Sequence, residues 1–265
     1  MPPVPAIEST AFAARLARGD VSLFAAIPSE STPRDRQSLL AVQRAVRDRW
    51  PSYVYLEIGS HLGGSLLPHV LDPGCRLSHS IDPRPTVQPD ARGSRFAYPG
   101  NSTARMLANL AAAGADPARV RCHEAMAADV SPSALEPRPH LCFIDGEHTA
   151  DAVLADFAAC RRVLEPGGIV LFHDAHIVYD ALQLIVDTLD GEGVRYRACH
   201  LPDTIVAIEL GDGGLLDNEA VAAVRRESHR GYLLSLQSTD HYRRIASTWP
   251  VRVFRRLRAV VGVGE

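Results

Sequence analysis

Lysine is absent from this chain of 265 residues, so all 28 basic side chains are Arg. This absence excludes mechanisms that need a catalytic Lys, including the Tyr/Lys proton relay of many nicotinamide-dependent reductases. Aromatic residues are scarce, at 6% of the chain, and the net charge is only −3. A net charge so close to neutral does not indicate the basic surface that binds nucleic acid, so we expect no nucleic-acid partner.

Cysteine is also sparse, and its pattern is not that of a metal site or a disulfide framework. The chain has five Cys, an odd number, and they lie mostly in apolar runs. We therefore expect reduced core side chains and a cytoplasmic protein. No apolar run is long enough to cross a bilayer, and no charged segment followed by an apolar run precedes the first helix.

The residues that are present suit one globular domain with helical additions, since 46% are hydrophobic and 22% charged. Apolar spacing predicts amphipathic helices at Ser9–Arg18 and Pro33–Trp50, within an N-terminal helical cap of residues 1–50. A central domain of residues 51–212 and a C-terminal helical extension of residues 213–265 follow. The extension includes Trp249–Val263, a basic amphipathic helix that we expect to pack on its own domain or a second subunit. Peripheral contact with an anionic membrane surface or a partner is the alternative.

Strand and helix patterns alternate through the central domain. After the strand that begins at Tyr53, the predicted strands are Cys75–Ile81, Val120–His123, His140–Ile144, Ile169–Phe172, Arg195–His200 and Thr204–Leu210. The predicted helices are Asn101–Ala113, Thr149–Leu164 and Ile177–Leu189. This order predicts an α/β fold with a doubly wound, Rossmann-like, mostly parallel seven-stranded sheet whose last strand is antiparallel. The segment Arg84–Gly100 is rich in Pro, Arg and Gly, and we expect no regular structure there.

A Gly-rich turn follows the first strand, in the stretch from Tyr53 to Ser65. Glycine lets the backbone approach a ligand, and the free N–H groups before the next helix face it. The spacing is Glu-x-Gly-x-x-x-Gly-Gly from Glu57, which differs from the Gly-x-Gly-x-x-Gly of dinucleotide folds. The Glu57 carboxylate would repel a pyrophosphate but can hold a cationic or hydroxylated ligand. This spacing and the missing Lys exclude a nicotinamide-dependent reductase.

Acidic residues lie at the ends of five predicted strands, at Glu57, Asp82, Glu124, Asp145 and Asp174. In an open α/β sheet the ligand binds outside the carboxyl ends of the strands. Like charges that converge there repel one another, so we expect a cation or a hydroxyl-rich ligand between them. S-adenosylmethionine (SAM) fits, with its sulfonium, ammonium and ribose, and so does a divalent metal ion.

Individual strand ends suggest individual roles. Asp82 can accept hydrogen bonds from both ribose hydroxyls, although a turn cap is the alternative. Ala125 and Met126 can frame an adenine, or form a plain loop. Asp145 and Asp174 end neighbouring strands and can share a hard cation such as Mg²⁺.

His148 stands three residues after Asp145 and can accept a proton from a substrate hydroxyl near neutral pH. The structural alternatives are a helix cap for each Asp and a satisfied polar group for His148.

Three motifs then support a resemblance: Phe143–Thr149, Glu165-Pro166-Gly167-Gly168 and Phe172-His173-Asp174. They resemble the metal-dependent O-methyltransferases of sugars and natural products, of the macrocin, mycinamicin and novobiocin-pathway type. Likewise, the Gly-rich turn resembles motif I of class I SAM-dependent methyltransferases. The resemblance, together with the strand-end positions, implies a SAM site at Glu57, Gly59, Ser60, Gly63, Ser65, Asp82, Ala125, Met126 and Asp145. It implies a metal site at Asp145, His173 and Asp174, with His148 and Asp145 as the catalytic residues.

One departure from this family is His173, at a position where the family usually has a carboxylate. A nitrogen ligand suits Mn²⁺, Fe²⁺, Ni²⁺ or Zn²⁺ better than Mg²⁺, or else His173 turns away and water completes the coordination shell. Mg²⁺ and Mn²⁺ remain the expected ions, and their identity stays open.

The expected function is O-methylation of a hydroxyl on a sugar, glycoside or related small molecule. The alternative is a catalytically silent SAM-binding domain that serves as a scaffold or partner, and a homo-oligomer is compatible with either. Arg84–Gly100 is long for a connection, so Arg84, Arg92, Arg95, Phe96 and Tyr98 are candidates for a lid, or for a solvated loop.

Overall fold

The computed structural model describes residues 9–246. The Pro-rich start of the chain and the predicted helix at Trp249–Val263 lie outside the described residues. The described part divides into two units. The first extends to Arg225 and contains both sheets. The second begins at Arg226 and continues helix α7, which runs over Glu219–Ala246. Among residues 9–246, none of the helices combines the length and apolar character that a bilayer crossing requires.

Nine strands form two sheets within the first unit. They are β1 (Tyr53–Ile58), β2 (Cys75–Ile81), β3 (Val87–Pro89), β4 (Arg95–Ala97), β5 (Val120–His123), β6 (Leu141–Ile144), β7 (Ile169–Phe172), β8 (Tyr196–His200) and β9 (Val206–Leu210). The large sheet has the order β5-β2-β1-β6-β7-β9-β8, and its first five strands are parallel. The last strand within residues 9–246, β9, is inserted antiparallel between β7 and β8. The predicted doubly wound, seven-stranded sheet is thus confirmed.

Helices cover both faces of this sheet. Besides α7, the α-helices in residues 9–246 are α1 (Ser9–Ala17), α2 (Pro33–Arg49), α3 (Leu67–Leu71), α4 (Thr103–Ala112), α5 (Ala150–Val163) and α6 (Tyr179–Gly191). Three of them, α2, α4 and α5, start where a hydroxyl caps the first turn: Thr32 accepts from the Asp35 N–H, Ser102 from the Arg105 N–H and Thr149 from the Ala152 N–H. The five predicted helices that fall within residues 9–246 are therefore present, with ends shifted by one or two residues.

The core has two layers, one on each face of the sheet. Tyr55 and Phe143 pack on one face against α2 and its neighbours, while Leu56 and Cys142 pack on the other face against α5. All six residues of β1 are buried. Because helices cover both faces, successive residues can all be apolar without exposing any of them. The polar strand ends are then left at one edge of the sheet.

The expectation of no regular structure in Arg84–Gly100 is wrong, because this segment contains the antiparallel hairpin of β3 and β4. The turn is built by Asp90, whose carboxylate accepts hydrogen bonds from the N–H groups of Arg92 and Ser94. Gly93 completes it at a φ of +78°. A hairpin of three-residue strands has too few alternating residues to show a strand pattern, so composition alone suggested a loop.

Candidate functional site

A cavity of about 220 Å³ lies at the carboxyl ends of the parallel strands. Asp82, Asp145 and Asp174 line it, together with Ser60 and Ser65 from the turn after β1. Glu124 does not line it and is exposed. Three of the five strand-end acids therefore share one cavity, as the parallel strands require.

Glu57 lies beneath the cavity rather than in it. Its carboxyl accepts hydrogen bonds from the Tyr55 hydroxyl at 2.7 Å and the Ser65 hydroxyl at 2.8 Å. Burial raises the pKa of Glu57 to about 8, although these two hydrogen bonds oppose the shift. Glu57 therefore supports the turn that carries Ser65, and no atom of it faces the cavity.

The raised pKa of Glu57 predicts a pH-dependent stability. Between pH 4.5 and about 8 the folded chain holds a proton on Glu57 that the unfolded chain releases, so stability falls as the pH rises through this window. Glu57→Gln should remove this loss. We expect its melting temperature to match the wild type near pH 5 and to exceed it by a few degrees at pH 9. Thermal unfolding at both values checks this, with the exposed strand-end acid in Glu124→Gln as a control. A constant difference at both pH values would contradict it.

The turn after β1 needs its glycines for close approach. Gly59 has a φ of +87°, and a Cβ there would overlap the carbonyl of Asp145. A Cβ on Gly64 would come within 2.6 Å of Ser29, while Gly63 packs against Met106 and does not line the cavity. The hydroxyl of Ser60 is buried and has no hydrogen-bond partner among the described residues. This buried hydroxyl lines the cavity and is available to a bound ligand.

Asp82 sits at the centre of the strand-end region and is buried. It accepts hydrogen bonds from the N–H groups of His61, at 2.9 Å, and Arg84, at 2.7 Å. The Arg84 guanidinium lies 3.1 Å from Asp82 Oδ2, so this candidate lid residue pairs with the acid itself. Arg84 also donates to the carbonyl of His61 at 2.6 Å, which fixes the turn relative to β2.

An acid–imidazole cluster forms the opposite wall of the cavity. His173 Nδ1 lies 2.9 Å from Asp145 Oδ1 and 3.6 Å from Asp174 Oδ2. His148 Nε2 lies 3.6 Å from Asp145 Oδ1 and 3.7 Å from Asp174 Oδ2. All four residues come from the ends of β6 and β7, which pair from Leu141↔Ile169 to Ile144↔Phe172. The structure thus brings together the residues that the two sequence motifs singled out.

The second ring nitrogen of His173 faces a residue that sequence reasoning missed. His173 Nε2 lies 3.3 Å from Asp35 Oδ2, on α2. Asp35 is wholly buried, and its other oxygen accepts from the N–H and hydroxyl of Thr204. His173 is therefore held between two carboxylates and is only 6% exposed.

Charge pairing decides the protonation of this cluster. Burial favours the neutral imidazole of His173, but Asp145 and Asp35 raise its pKa to about 11. Burial also favours a neutral Asp145, but His173 and His148 lower its pKa to about 2. For His148 burial again lowers the pKa, and Asp145 and Asp174 raise it above the ordinary value. The carboxylates at this wall thus strongly favour positive charge beside them.

The donor set fits a divalent metal ion. Asp145, His148 and His173 each offer one atom, and these atoms lie within 4.8 Å of one another. When His173 donates a hydrogen bond from Nε2 to Asp35, the lone pair on its Nδ1 faces Asp145 Oδ1 at 2.9 Å. Both of these atoms are then acceptors, so a proton or a metal ion is needed between them. His148 Nε2 is buried and has no hydrogen-bond partner among the described residues. In this group the third donor atom comes from His148, whereas the resemblance implied Asp174 as the third ligand.

A second cavity, of about 240 Å³, adjoins the first and shares Gly59, Asp82 and Gln88 with it. Ala125 and Met126, for which the sequence analysis predicted an adenine site, form one wall. The wall opposite includes Ala152 and Asp156, one helical turn apart on α5. The two cavities meet at the strand-end acid that was expected to bind ribose.

The N-terminal segment and the hairpin complete the first cavity. Ser29, Glu30 and Thr32 line it from the segment before α2, and Thr204 lines it from the turn before β9. Of the remaining candidate lid residues only Tyr98 lines it, whereas Arg92, Arg95 and Phe96 are exposed. The hairpin nevertheless reaches the site, because the Ala91 N–H donates to the carbonyl of His148 at 2.8 Å.

Comparison with known proteins identifies the type of domain and the fold. Residues 56–175 match the family model described as a methyltransferase domain. No curated protein sequence matches the chain. Among solved structures, the O-methyltransferase NovP is similar with a TM-score of 0.58 and 13% identity, over 77% of this chain and 100% of that one. The calicheamicin methyltransferase CalS11 is similar with a TM-score of 0.50 and 19% identity, over 77% of this chain and 93% of that one.

Identities this low show a shared fold, and the family match shows the type of domain. The motif I turn, the acids at the ends of β2 and β6 and the turn before β7 all lie within the matched range of residues 56–175. Residues 56–175 are thus similar to a methyltransferase domain, and the strand order of the sheet is that of the Rossmann-like methyltransferase fold.

Proposed function

We propose that this protein is a SAM-dependent O-methyltransferase that acts on a hydroxyl of a sugar, glycoside or related natural product, with a divalent metal ion at the acceptor. The observation that supports this most directly is the arrangement of the two cavities. They join at Gly59 and Asp82, and the acid–imidazole cluster lies at the end away from Ala125 and Met126. A methyl donor that spans both cavities would present its sulfonium near that cluster.

The donor would fit as follows. Its adenine would lie in the second cavity, between the loop after β5 and helix α5, and its ribose hydroxyls would face Asp82. The methionine part would follow the turn from Gly59 to Ser65, whose Ser60 hydroxyl is unpartnered. Acidic groups at this wall favour the sulfonium and the ammonium of the donor over an uncharged ligand.

The acceptor would occupy the part of the first cavity lined by Ser29, Glu30, Thr32 and Tyr98. These side chains are polar and carry hydroxyls or a carboxylate, which suits a ligand with several hydroxyls. Gly64 allows this wall to form, because any larger residue there would collide with Ser29. A polyhydroxylated acceptor therefore fits better than an apolar one.

Methyl transfer is an in-line displacement. The acceptor oxygen bonds to the methyl carbon as the carbon–sulfur bond breaks, which leaves S-adenosylhomocysteine. The hydroxyl proton passes to His148 Nε2, which has no other partner among the described residues. Asp145 and Asp174 stabilise the resulting imidazolium from 3.6 and 3.7 Å. The chain's own contribution is to hold the two reactants in line and to accept this proton.

Asp145, His173 and Asp174 would hold the metal ion, with His148 beside them. When bound, the ion supplies Lewis acidity that lowers the pKa of a coordinated hydroxyl. The imidazole nitrogen of His173 suits Mn²⁺ better than Mg²⁺, while the two carboxylates admit either ion. Asp35 would fix the His173 ring by accepting from Nε2, as carboxylates commonly do for metal-bound His.

Binding and turnover test this proposal. Calorimetry should show SAM binding with a Kd in the micromolar range, and a panel of sugars and glycosides should yield S-adenosylhomocysteine only with an acceptor present. EDTA should remove at least about 90% of turnover, and Mn²⁺ should restore it. Binding without turnover on any hydroxylated acceptor would instead favour the silent scaffold. Full activity in EDTA would remove the metal ion from the proposal while leaving methyl transfer intact.

We also propose a cytoplasmic location. All five cysteines are free, and three of them are buried. A reducing compartment keeps such thiols as core side chains.

A further inference from the structure

Asp156 is a buried acid that neither the sequence motifs nor the proposed reaction uses. It lies in the middle of α5, on the helix face that covers the sheet, and is only 4% exposed. Among residues 9–246, burial and the Glu147 carboxylate are the influences on the pKa of Asp156; both raise it, and no hydrogen bond opposes them. A buried carboxyl without partners costs free energy, because it has lost its water and gained nothing in return. Because Asp156 lines a cavity, a ligand in that cavity can supply the missing hydrogen bonds.

The surroundings of Asp156 show which ligand that is. Asp156 lines the second cavity next to Ala152, which precedes it by one helical turn on the same face. Gly146 lies above the carboxyl, and a Cβ on that glycine would approach Asp156 Oδ2 to 3.3 Å. Apolar side chains form much of the remaining wall and include Ile58, Ala125 and Met126. The cavity is therefore largely apolar, and Asp156 is the buried acid on its α5 wall.

We propose that the Asp156 carboxyl recognises the adenine of the methyl donor by bonding to its 6-amino edge. This inference rests on the proposed function, since it takes SAM as the ligand. The ribose end of the ligand is placed by Asp82, which lines both cavities, so the base must extend toward α5. Adenine presents an N6–H donor next to the N1 acceptor, and Asp156 is the polar side chain on the α5 wall that can meet them.

The protonation state of Asp156 supports two hydrogen bonds to the adenine edge, one accepted and one donated. Burial raises the pKa of Asp156 to about 7, and the nearby Glu147 carboxylate raises it further. A neutral carboxyl offers one oxygen that accepts and one hydroxyl that donates. This pattern is complementary to N6–H and N1 of adenine. An Asn side chain offers the same pattern through its carbonyl and amino groups, whereas Ala offers neither.

The test compares two ligands across three proteins by calorimetry. The ligands are S-adenosylhomocysteine and its analogue whose purine lacks the 6-amino group. The wild type should bind the full ligand about tenfold more tightly than the analogue, the value of one or two good hydrogen bonds. Asp156→Ala should weaken binding of the full ligand about tenfold and reduce the ratio between the two ligands to near one. Asp156→Asn should retain most of the affinity and the ratio.

Asp151→Asn is the matched control, because Asp151 is an acid on the same helix that is exposed and does not line the cavity. Its ratio should equal that of the wild type. A wild-type ratio near one, or a ratio that survives in Asp156→Ala, would overturn the adenine contact while leaving the proposed function in place. Failure of the wild type to bind S-adenosylhomocysteine at all would instead overturn the proposed function, and the adenine contact with it. If Asp156→Ala does not fold, the ratio of the two ligand affinities in the wild type and in Asp156→Asn still tests the adenine contact.

Discussion

Replacing Asp145 by Ala should reduce the rate of methyl transfer by about 10³-fold, an effect typical of removing a principal charged group from an active site. Asp145 Oδ1 is the atom that both imidazoles approach, at 2.9 Å from His173 and 3.6 Å from His148. Without it, His173 keeps only Asp35 as a close partner, and the candidate metal site loses its shared carboxylate. Turnover is measured as S-adenosylhomocysteine formed per enzyme, and Mn²⁺ binding is followed by calorimetry.

Two controls separate this effect from a loss of folding. Asp145 belongs to a strand end and not to the apolar layers, so the circular dichroism of Asp145→Ala should match that of the wild type. Glu124→Gln changes another strand-end acid that lies outside both cavities and should retain full turnover. If Asp145→Ala remains fully active and still binds Mn²⁺, the acid–imidazole cluster is not the reaction centre.

The meeting of Asp145, His148, His173 and Asp174 could be predicted from the sequence because of one property of parallel sheets. Two short, wholly apolar runs each end in a polar motif, and apolar runs of that kind form neighbouring buried strands. Once β6 and β7 pair in register, the residues that follow them must lie side by side. The order of the strands along the chain therefore contained most of the information about this wall of the site.

Asp35 could not be predicted in the same way. Its local signal is a capping box, in which the Thr32 hydroxyl accepts from the Asp35 N–H and Asp35 accepts from the Thr32 N–H. This pattern explains the start of α2 completely, so nothing in it indicates a further partner. The contact with His173 crosses 138 residues and depends on how α2 packs over β7, which no local pattern encodes.

The burial of Asp156 could not be predicted from the sequence, for a related reason. It lies among the apolar anchors of α5, three residues after Val153 and directly before Phe157, where a single acid is easily taken for the edge of the polar face. Only the depth of the helix against the sheet shows that this carboxyl is buried, and only the cavity shows what it faces. Burial of polar groups is a tertiary property, and functional residues of this type become visible only in the folded chain.

Replacing His148 by Ala should lower kcat by about 10²- to 10⁴-fold, the range for removal of a general base. The affinity for SAM should stay within about twofold of the wild type, because His148 faces the cluster and not the turn after β1. Rapid-quench measurement of a single turnover gives the chemical step, and calorimetry gives SAM affinity.

The same variant distinguishes the two roles that the geometry allows for His148. If His148 serves as the base, Mn²⁺ should bind His148→Ala about as well as it binds the wild type. His176→Ala is the control and should retain both activity and metal binding, since His176 is exposed and contacts Asp174 only at 3.7 Å. If His148 instead serves as the third ligand of the Asp145–His148–His173 group, metal affinity and turnover should fall together. An unchanged single-turnover rate would exclude both roles, and the proton would then have to leave by another path from the acceptor oxygen.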